Sequence, residues 1–267
     1  MKQSLAAALI LFGIAACQPG GVASGGGAGQ KPVAAVGPAS LYRQPPAATA
    51  VGLMTGSVVH LVGRAEPGAK IRLASPGGQA VLAQAGRDGG WSLDLPPATT
   101  PRLFGLAMTD RGHLIQSEGY IAVTPEGAAA QLRAGAGALV LGSRGEAPAI
   151  LAVDFDSKGG AVVSGLASPH GAVEVWVDGE RRARGQAAAD GVFSLAPNEP
   201  LTLAEHGFEV VDGSRRAAAR AALSLAAPLS RGPYRSERTA SGWRIDWMTP
   251  GGGLQTTLLL NHTGAPA

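Results

Sequence analysis

The residues that most often carry catalysis are present in this sequence, but their spacing forms no catalytic motif. The five histidines lie far apart, and none is at metal-ligand spacing from another: His60, His113, His170, His206 and His262. There is no Gly-x-Ser-x-Gly turn, His-Glu-x-x-His helix, Walker phosphate loop or Ser-x-x-Lys pair. The sequence therefore predicts no enzymatic activity, no cofactor and no bound metal. The sequence does not exclude a pair of carboxylates for glycoside hydrolysis, because two such groups need only meet in space and need no fixed spacing in sequence.

Two short segments begin like ligand-binding loops and then depart from them. Residues 154–159 open like a calcium loop, but Lys158 stands where an oxygen ligand is needed and Gly165 occupies the closing position. Gly135 and Gly137 could start a dinucleotide fingerprint, but valine stands at the next required position and no βαβ pattern surrounds them. We interpret residues 154–159 as a charged strand end followed by a turn.

Cys17 is the only cysteine of the 267 residues, and it follows a segment typical of export signals. Lys2 precedes an apolar run at 5–16, which is shorter than the roughly 20 residues that a membrane-spanning helix needs. The run ends in Ile-Ala-Ala before Cys17, which resembles the lipobox of bacterial lipoproteins. The resemblance implies cleavage before Cys17, a diacylglyceryl group on its thiol and an acyl chain such as palmitate on the new amino terminus.

The same resemblance implies a membrane-anchored protein that faces the periplasm. Gln18, in place of aspartate, favours the outer membrane over the inner membrane. Residues 18–40 are rich in Gly, Pro and Ala and are predicted to form a flexible tether. The net charge is +3 and the pI about 9.3, but only 15% of residues are charged. Together with export, this sparse charge argues against a nucleic-acid partner.

The rest of the chain contains an internal repeat, which predicts how it folds. Gly63 and Gly165 each close a valine-rich strand, and a proline turn and an alternating strand follow. An Asp-Gly turn then precedes an aromatic residue, which is Trp91 in the first unit and Phe193 in the second. The glycines and the Asp-Gly turns are both 102 positions apart. Matching the proline turns requires one residue to be gained in the second unit and later lost.

This pattern resembles the bacterial Ig-like domains of surface and envelope proteins. The second unit, with a hairpin turn at Asp178-Gly179, is similar to the Ig-like module that often precedes a peptidoglycan-binding LysM domain, although no LysM sequence is present. The resemblance implies an all-β fold of two tandem Ig-like β-sandwiches. The expected boundaries are a signal peptide at 1–16, a lipidated tether at 17–40, sandwiches at 41–142 and 143–228, and a C-terminal β-hairpin at 229–267.

The C-terminal hairpin carries two of the four tryptophans on an alternating strand. Trp243 and Trp247 share one face with Ile245, while Arg244 and Asp246 lie on the other. Because an isolated hairpin is marginally stable, it must dock on something larger. The tryptophans then either cover the second sandwich or the groove between domains, or form an exposed strip for a sugar ring or a protein partner. Trp176 is a third candidate contact residue of this kind.

These observations favour a non-catalytic cell-envelope lipoprotein whose Ig-like domains make protein–protein contacts as an assembly or spacer component. The alternative is a binding module for peptidoglycan or another envelope glycan. The expected partners are the membrane, through the lipid on Cys17, and either an envelope protein or peptidoglycan.

Overall fold

The computed structural model describes residues 42–142 and 145–261. Cys17 and the rest of the predicted signal peptide and tether lie outside these ranges, as does His262. Within them the chain forms twenty β-strands, and the only helical segment of this part is a short 3-10 turn at Thr55–Ser57. The predicted fold class, all-β with tandem Ig-like sandwiches, is confirmed.

The first sandwich contains ten strands in two antiparallel sheets. They are β1 (Ala47–Met54), β2 (Val58–Arg64), β3 (Lys70–Ala74), β4 (Ala80–Gln84), β5 (Gly90–Leu95), β6 (Arg102–Asp110), β7 (His113–Gln116), β8 (Tyr120–Val123), β9 (Ala129–Leu132) and β10 (Leu139–Leu141). One sheet has the order β1-β2-β5, and the other has the order β10-β9-β8-β6-β3-β4, with β7 paired to β6. The apolar faces of the two sheets enclose the first core.

The second sandwich contains the remaining ten strands. They are β11 (Ala149–Asp156), β12 (Ala161–Leu166), β13 (Ala172–Val177), β14 (Glu180–Gln186), β15 (Val192–Leu195), β16 (Glu205–Asp212), β17 (Arg215–Ala222), β18 (Tyr234–Thr239), β19 (Gly242–Met248) and β20 (Leu254–Leu260). A six-stranded sheet of order β15-β12-β11-β20-β19-β18 faces a four-stranded sheet of order β14-β13-β16-β17. The second core lies between them.

The repeat determines the centre of each sandwich. Trp91 and Phe193 are buried, at 3% and 2% exposure, as the sequence predicts. Trp91 lies opposite Gly63 on the neighbouring strand, and Phe193 lies opposite Gly165. A Cβ atom on either glycine would overlap the aromatic ring and a backbone carbonyl oxygen. Glycine is therefore required at both positions because the ring occupies the space of the missing side chain.

The alignment of the two proline turns inferred from the sequence is wrong in one detail. In each unit a glutamine side chain donates to the carbonyl at the corner of the turn, Gln84 to Gly68 at 3.3 Å and Gln186 to His170 at 2.9 Å. The two glutamines are 102 residues apart, and so are Gly68 and His170. Gly68 and His170 are therefore equivalent, and the second unit gains no residue. His170 adopts the positive φ of 58° where glycine adopts 75°. The equivalence of Gly68 and His170 is not evident from the sequence, because glycine is the usual residue in this left-handed conformation.

The C-terminal strands complete the second sandwich and also join it to the first. β20 pairs with β11, which places β18, β19 and β20 in the six-stranded sheet. The outer face of that sheet packs on the outer face of the first sandwich's larger sheet and forms a third core, here called the junction core. The part of the chain from residue 45 to residue 261 therefore stacks four sheets, with three apolar layers between them. The buried residues of the junction core are Leu103, Ala122, Ala130, Leu132, Ala138, Ala152, Ile245, Trp247 and Leu259.

Candidate functional site

Trp247, for which the sequence left open a cover between the domains or an exposed contact, is enclosed in the junction core and has no exposed surface. Its indole Nε1 donates to the Thr257 hydroxyl at 3.0 Å, and the Tyr120 ring meets it edge-on at 5.8 Å between centroids. Because a sugar or a protein partner needs an open ring face, the structure corrects the contact role for Trp247. Its role is to hold the two sandwiches together.

Trp243 lies at the rim of the same core and is partly exposed. Its Nε1 donates to the Glu126 carboxylate at 2.9 Å, and the Arg238 guanidinium lies 5.2 Å from the ring centroid. Arg238 also reaches Glu126 at 3.2 Å. Burial would raise the pKa of Glu126, but hydrogen bonds from Trp243 and from neighbouring groups hold that pKa below its usual range. Glu126 belongs to the first sandwich, so this cluster fastens the rim of the junction.

Trp176 lies far from the other two candidates in the fold, on the outward face of the four-stranded sheet. Its Nε1 donates to Glu174 at 3.2 Å, and Arg181 reaches the other oxygen of that carboxylate at 3.0 Å. The ring is partly exposed and belongs to none of the three cores. The structure therefore brings Trp243 and Trp247 together in a packing role and leaves Trp176 alone on an open surface.

Asp154 is a buried carboxylate of the junction that sequence reasoning missed. It accepts hydrogen bonds from the backbone N–H of Ala138 at 2.6 Å and from the side chains of Thr257 and Gln255. Burial raises the pKa of Asp154 to about 6, against the opposing effect of these hydrogen bonds and of the Arg133 charge. The available signal was a single acid within the apolar run of β11, which is rarely buried without a partner.

Residues 154–159 form a strand end and a turn, as interpreted from the sequence. Asp156 is exposed at the end of β11 and accepts from the backbone N–H groups of Lys158 and Gly160, at 2.7 and 3.1 Å. The two carboxylates therefore serve separate structural purposes and do not converge on a cation. Among the described residues, no group of three or more His, Cys, Asp or Glu side chains is arranged to hold a metal ion.

A second buried charge cluster lies on the opposite face of β19. Asp246, 1% exposed, accepts from the guanidinium groups of Arg235 and Arg244, the latter at 2.9 Å. Arg244 also donates to the hydroxyl and the carbonyl of Ser224 at 2.8 and 2.9 Å, and lies 5.6 Å from the centroid of the Phe155 ring. The polar half of the predicted hairpin is thus buried, with its donors and acceptors paired as burial requires.

The pair most like a catalytic dyad is Asp178 and His206. The Nδ1 atom of His206 lies 2.6 Å from the Asp178 carboxylate, and this hydrogen bond holds the pKa of Asp178 below its usual range. The other ring nitrogen, Nε2, faces the carbonyl oxygen of Thr202 at 2.8 Å. A general base needs that nitrogen free to reach a substrate or a nucleophile. The geometry instead clamps the β13–β14 turn to the start of β16.

No helix in the described parts of the chain has the length and hydropathy needed to cross a membrane.

Comparison with known proteins adds only distant likenesses. No family model and no curated protein matches the chain. It is similar to the solved structure "Biofilm associated protein - BSP domain", with 13% identity and a TM-score of 0.25, over 68% of this chain but only 30% of that one. It is also similar to "Central Fibronectin-III array of RIM-binding protein", with 12% identity and a TM-score of 0.27, over 81% and 88% of the two chains. Overlaps of this size carry no inference about function.

Proposed function

We propose that this chain is a non-catalytic cell-envelope lipoprotein whose two Ig-like domains form a rigid spacer or assembly component that contacts other proteins. The observation that carries the proposal is the junction core, in which Trp247 is enclosed between the two sandwiches. Domains that share only a linker move relative to each other. A packed apolar face between them fixes their separation and orientation, which suits a protein that presents its outer sheets to partners.

The anchoring part of the proposal is supported by the sequence before Cys17. We propose that Cys17 is lipidated, that the folded part faces the periplasm, and that Gln18 directs the protein to the outer membrane. Stable anchoring takes more than one acyl chain, as the lipoprotein pattern supplies. Labelled palmitate should enter the wild-type chain and not the Cys17→Ser variant, and equal labelling of the two would contradict the anchor.

The non-catalytic part is supported by the positions of the ionisable groups that the structure describes. Asp154 and Asp246 are enclosed, and the Asp178–His206 pair has no free ring nitrogen. Each of these groups is engaged by hydrogen-bond partners of the fold.

Crosslinking of intact envelopes tests the contact role directly. The wild-type lipoprotein, with a Cys17→Ser chain as the unanchored control, is purified after crosslinking and its adducts are separated. Defined protein adducts of the anchored chain that are weak or missing for the control would support the proposal. Recovery of muropeptides without protein would overturn it in favour of the glycan alternative.

The glycan alternative has one specific observation in its favour, the open position of Trp176 beside Glu174 and Arg181. An aromatic face with flanking polar groups is suited to a sugar ring. Trp176→Ala should remain folded because the side chain lies outside the cores. A Trp176→Ala chain of wild-type melting temperature that no longer sediments with purified peptidoglycan, while Trp176→Phe still does, would establish glycan binding.

A further inference from the structure

The second sandwich is asymmetric, and its larger sheet extends past its smaller one. The edge strands β14 and β15 lie opposite each other, and β17 at the other end of the small sheet lies over β11. The remaining strands of the large sheet, β20, β19 and β18, therefore continue beyond β17. The segment that leads from β17 to β18 crosses this overhang, where the hydroxyl and carbonyl of Ser224 accept hydrogen bonds from Arg244.

The overhang forms an open groove beside β17 with a volume of about 470 Å³. The large sheet lines the groove with Leu258 of β20, Arg244 of β19, and Arg235 and Glu237 of β18, and the small sheet contributes Ala222 of β17. Leu225, 65% exposed, adds an apolar side chain to its lining.

β17 is an exposed edge strand whose composition favours pairing with another strand. It is eight residues long, contains no proline and has alanine at five positions. Nothing in the described residues pairs with its outer edge. Unpaired N–H and C=O groups on such an edge are a template for an added strand. A strand added there would lie above the groove, with one face toward Leu258 and the other toward solvent.

The charged side chains of β17 indicate which kind of strand can pair with its free edge. Arg216 and Arg220 point outward, with 63% and 82% of their side-chain surfaces exposed. Each also pairs with a glutamate of β16, Arg216 with Glu209 and Arg220 with Glu205. In a second copy of this chain, antiparallel pairing centred on Ala218 would set Arg216 opposite Arg220 at two places. Like charges directly opposite each other destabilise a strand pair, whereas opposite charges stabilise it. The edge therefore disfavours this self-pairing and favours a strand with acidic side chains on its outward face, which would continue the alternation of acidic β16 and basic β17.

We propose that the groove beside β17 receives an extended acidic segment of a partner protein, which adds as a fifth strand to the four-stranded sheet. The inference rests on the proposed function, since it names the surface and the chemistry of one protein contact. In the added strand, small apolar side chains alternate with glutamate or aspartate. The apolar side chains face the groove, and the carboxylates face Arg216 and Arg220.

The test uses the full chain carrying Cys17→Ser and two peptides as long as β17. One peptide alternates glutamate with valine and threonine, and its twin has lysine in place of every glutamate. Binding is measured by fluorescence anisotropy, and the bound site by shifts of the β17 amide resonances. The acidic peptide should bind about tenfold more tightly than its twin, because two attractive cross-strand pairs replace two repulsive ones.

Charge variants test whether β17 is responsible for the preference for the acidic peptide. Arg216→Glu with Arg220→Glu should reverse the preference for the acidic peptide. If that variant folds poorly, the milder Arg216→Gln with Arg220→Gln is used, and it should abolish the preference. The matched control is Arg181→Glu with Arg184→Glu, which makes the same charge change on β14, the opposite edge of the same sheet. Equal affinity for both peptides, no binding of either, or the same shift in the control variant would overturn the inference.

A photoreactive residue at Ala218 separates this inference from the broader function. Suppose that envelope proteins crosslink to other positions of the chain but not to Ala218, and that the chain binds the two peptides equally well. That outcome would overturn the β17 site and leave the proposed function standing. Absence of any protein adduct from the anchored chain would remove the proposed function itself.

Discussion

The molecule contains two kinds of buried layer, and they are built differently. The cores inside the sandwiches come from the repeat, are apolar, and centre on the pairs Gly63–Trp91 and Gly165–Phe193. The junction core has no counterpart in the repeat. It combines apolar side chains with a polar cluster that links Trp247 through Thr257 to the buried Asp154.

The difference shows which layer determines the fold and which determines the arrangement of domains. A repeated apolar core can stabilise each sandwich by burying surface in a non-directional way. Hydrogen bonds to a buried carboxylate are directional, and an unsatisfied partner is costly. The junction therefore favours one relative orientation of the sandwiches over others that would bury a similar apolar area.

The largest expected effect is in the repeated cores. Trp91→Ala and Phe193→Ala should each lower the free energy of unfolding by about 3–5 kcal/mol, because each leaves a large cavity in a closed core. That is a large fraction of the stability of a small domain. Chemical denaturation checks this, and wild-type melting of both variants would show that the repeat does not form the cores.

Truncation of Trp247 tests whether the junction core couples the unfolding of the two sandwiches. Trp247→Ala should destabilise by about 3 kcal/mol, at the lower end for a buried aromatic, since the two sandwiches can move closer and shrink the cavity. Both repeat cores stay intact, so calorimetry should resolve two separate transitions in place of one. Trp247→Phe, which keeps a six-membered aromatic ring in the core but loses the hydrogen bond to Thr257 and part of the indole volume, is the matched control. A single unchanged transition in Trp247→Ala would contradict a coupling role for the junction.

The repeated layers were accessible to sequence reasoning, because they follow local rules. Strand alternation and Asp-Gly turns predicted the inward positions and the core aromatics Trp91 and Phe193. The error at His170 arose because a non-glycine residue takes a left-handed conformation that the sequence does not reveal. Cys17, the most specific prediction from the sequence, lies outside the described residues and stays a prediction.

The junction was less accessible, because its contacts join residues that are distant in sequence. Asp154 and Ala138 meet only because β20 pairs with β11 and brings the sandwiches face to face. Alternation on β19 placed Arg244 and Asp246 on the face opposite the tryptophans, but it gave no sign that the segment at Ser224 would bury them. A pattern of alternating polarity identifies two faces of a strand, but it does not reveal that both become covered.

The buried carboxylate distinguishes the junction from the repeated cores by its response to pH. The pKa of Asp154 in the folded chain is about 6, above its ordinary value of 3.8, so the folded state binds the proton more tightly. Stability from this group therefore rises as pH falls from 7.5 to 5 and is lost as pH rises through 6. The change is about 1–2 kcal/mol.

Denaturation of wild type and Asp154→Asn at both pH values isolates this effect, because other groups titrate in both chains. The wild type should gain stability relative to the variant at pH 5. Asp156→Asn, which changes an exposed carboxylate at the end of the same strand, is the matched control. If the difference between wild type and Asp154→Asn is independent of pH, Asp154 does not titrate in this range.

The smallest expected effect is at the rim of the junction, where Glu126 meets Trp243 and Arg238. Both partners of the carboxylate are partly exposed, so solvent and salt weaken the attraction. Glu126→Gln should therefore cost about 0.5–1 kcal/mol, and the loss should shrink in high salt, unlike that of Trp247→Ala. A double-mutant cycle with Trp243→Phe, which removes the indole donor, measures the coupling between the two side chains. If the two losses simply add, the contact between Glu126 and Trp243 contributes nothing of its own to the stability of the junction.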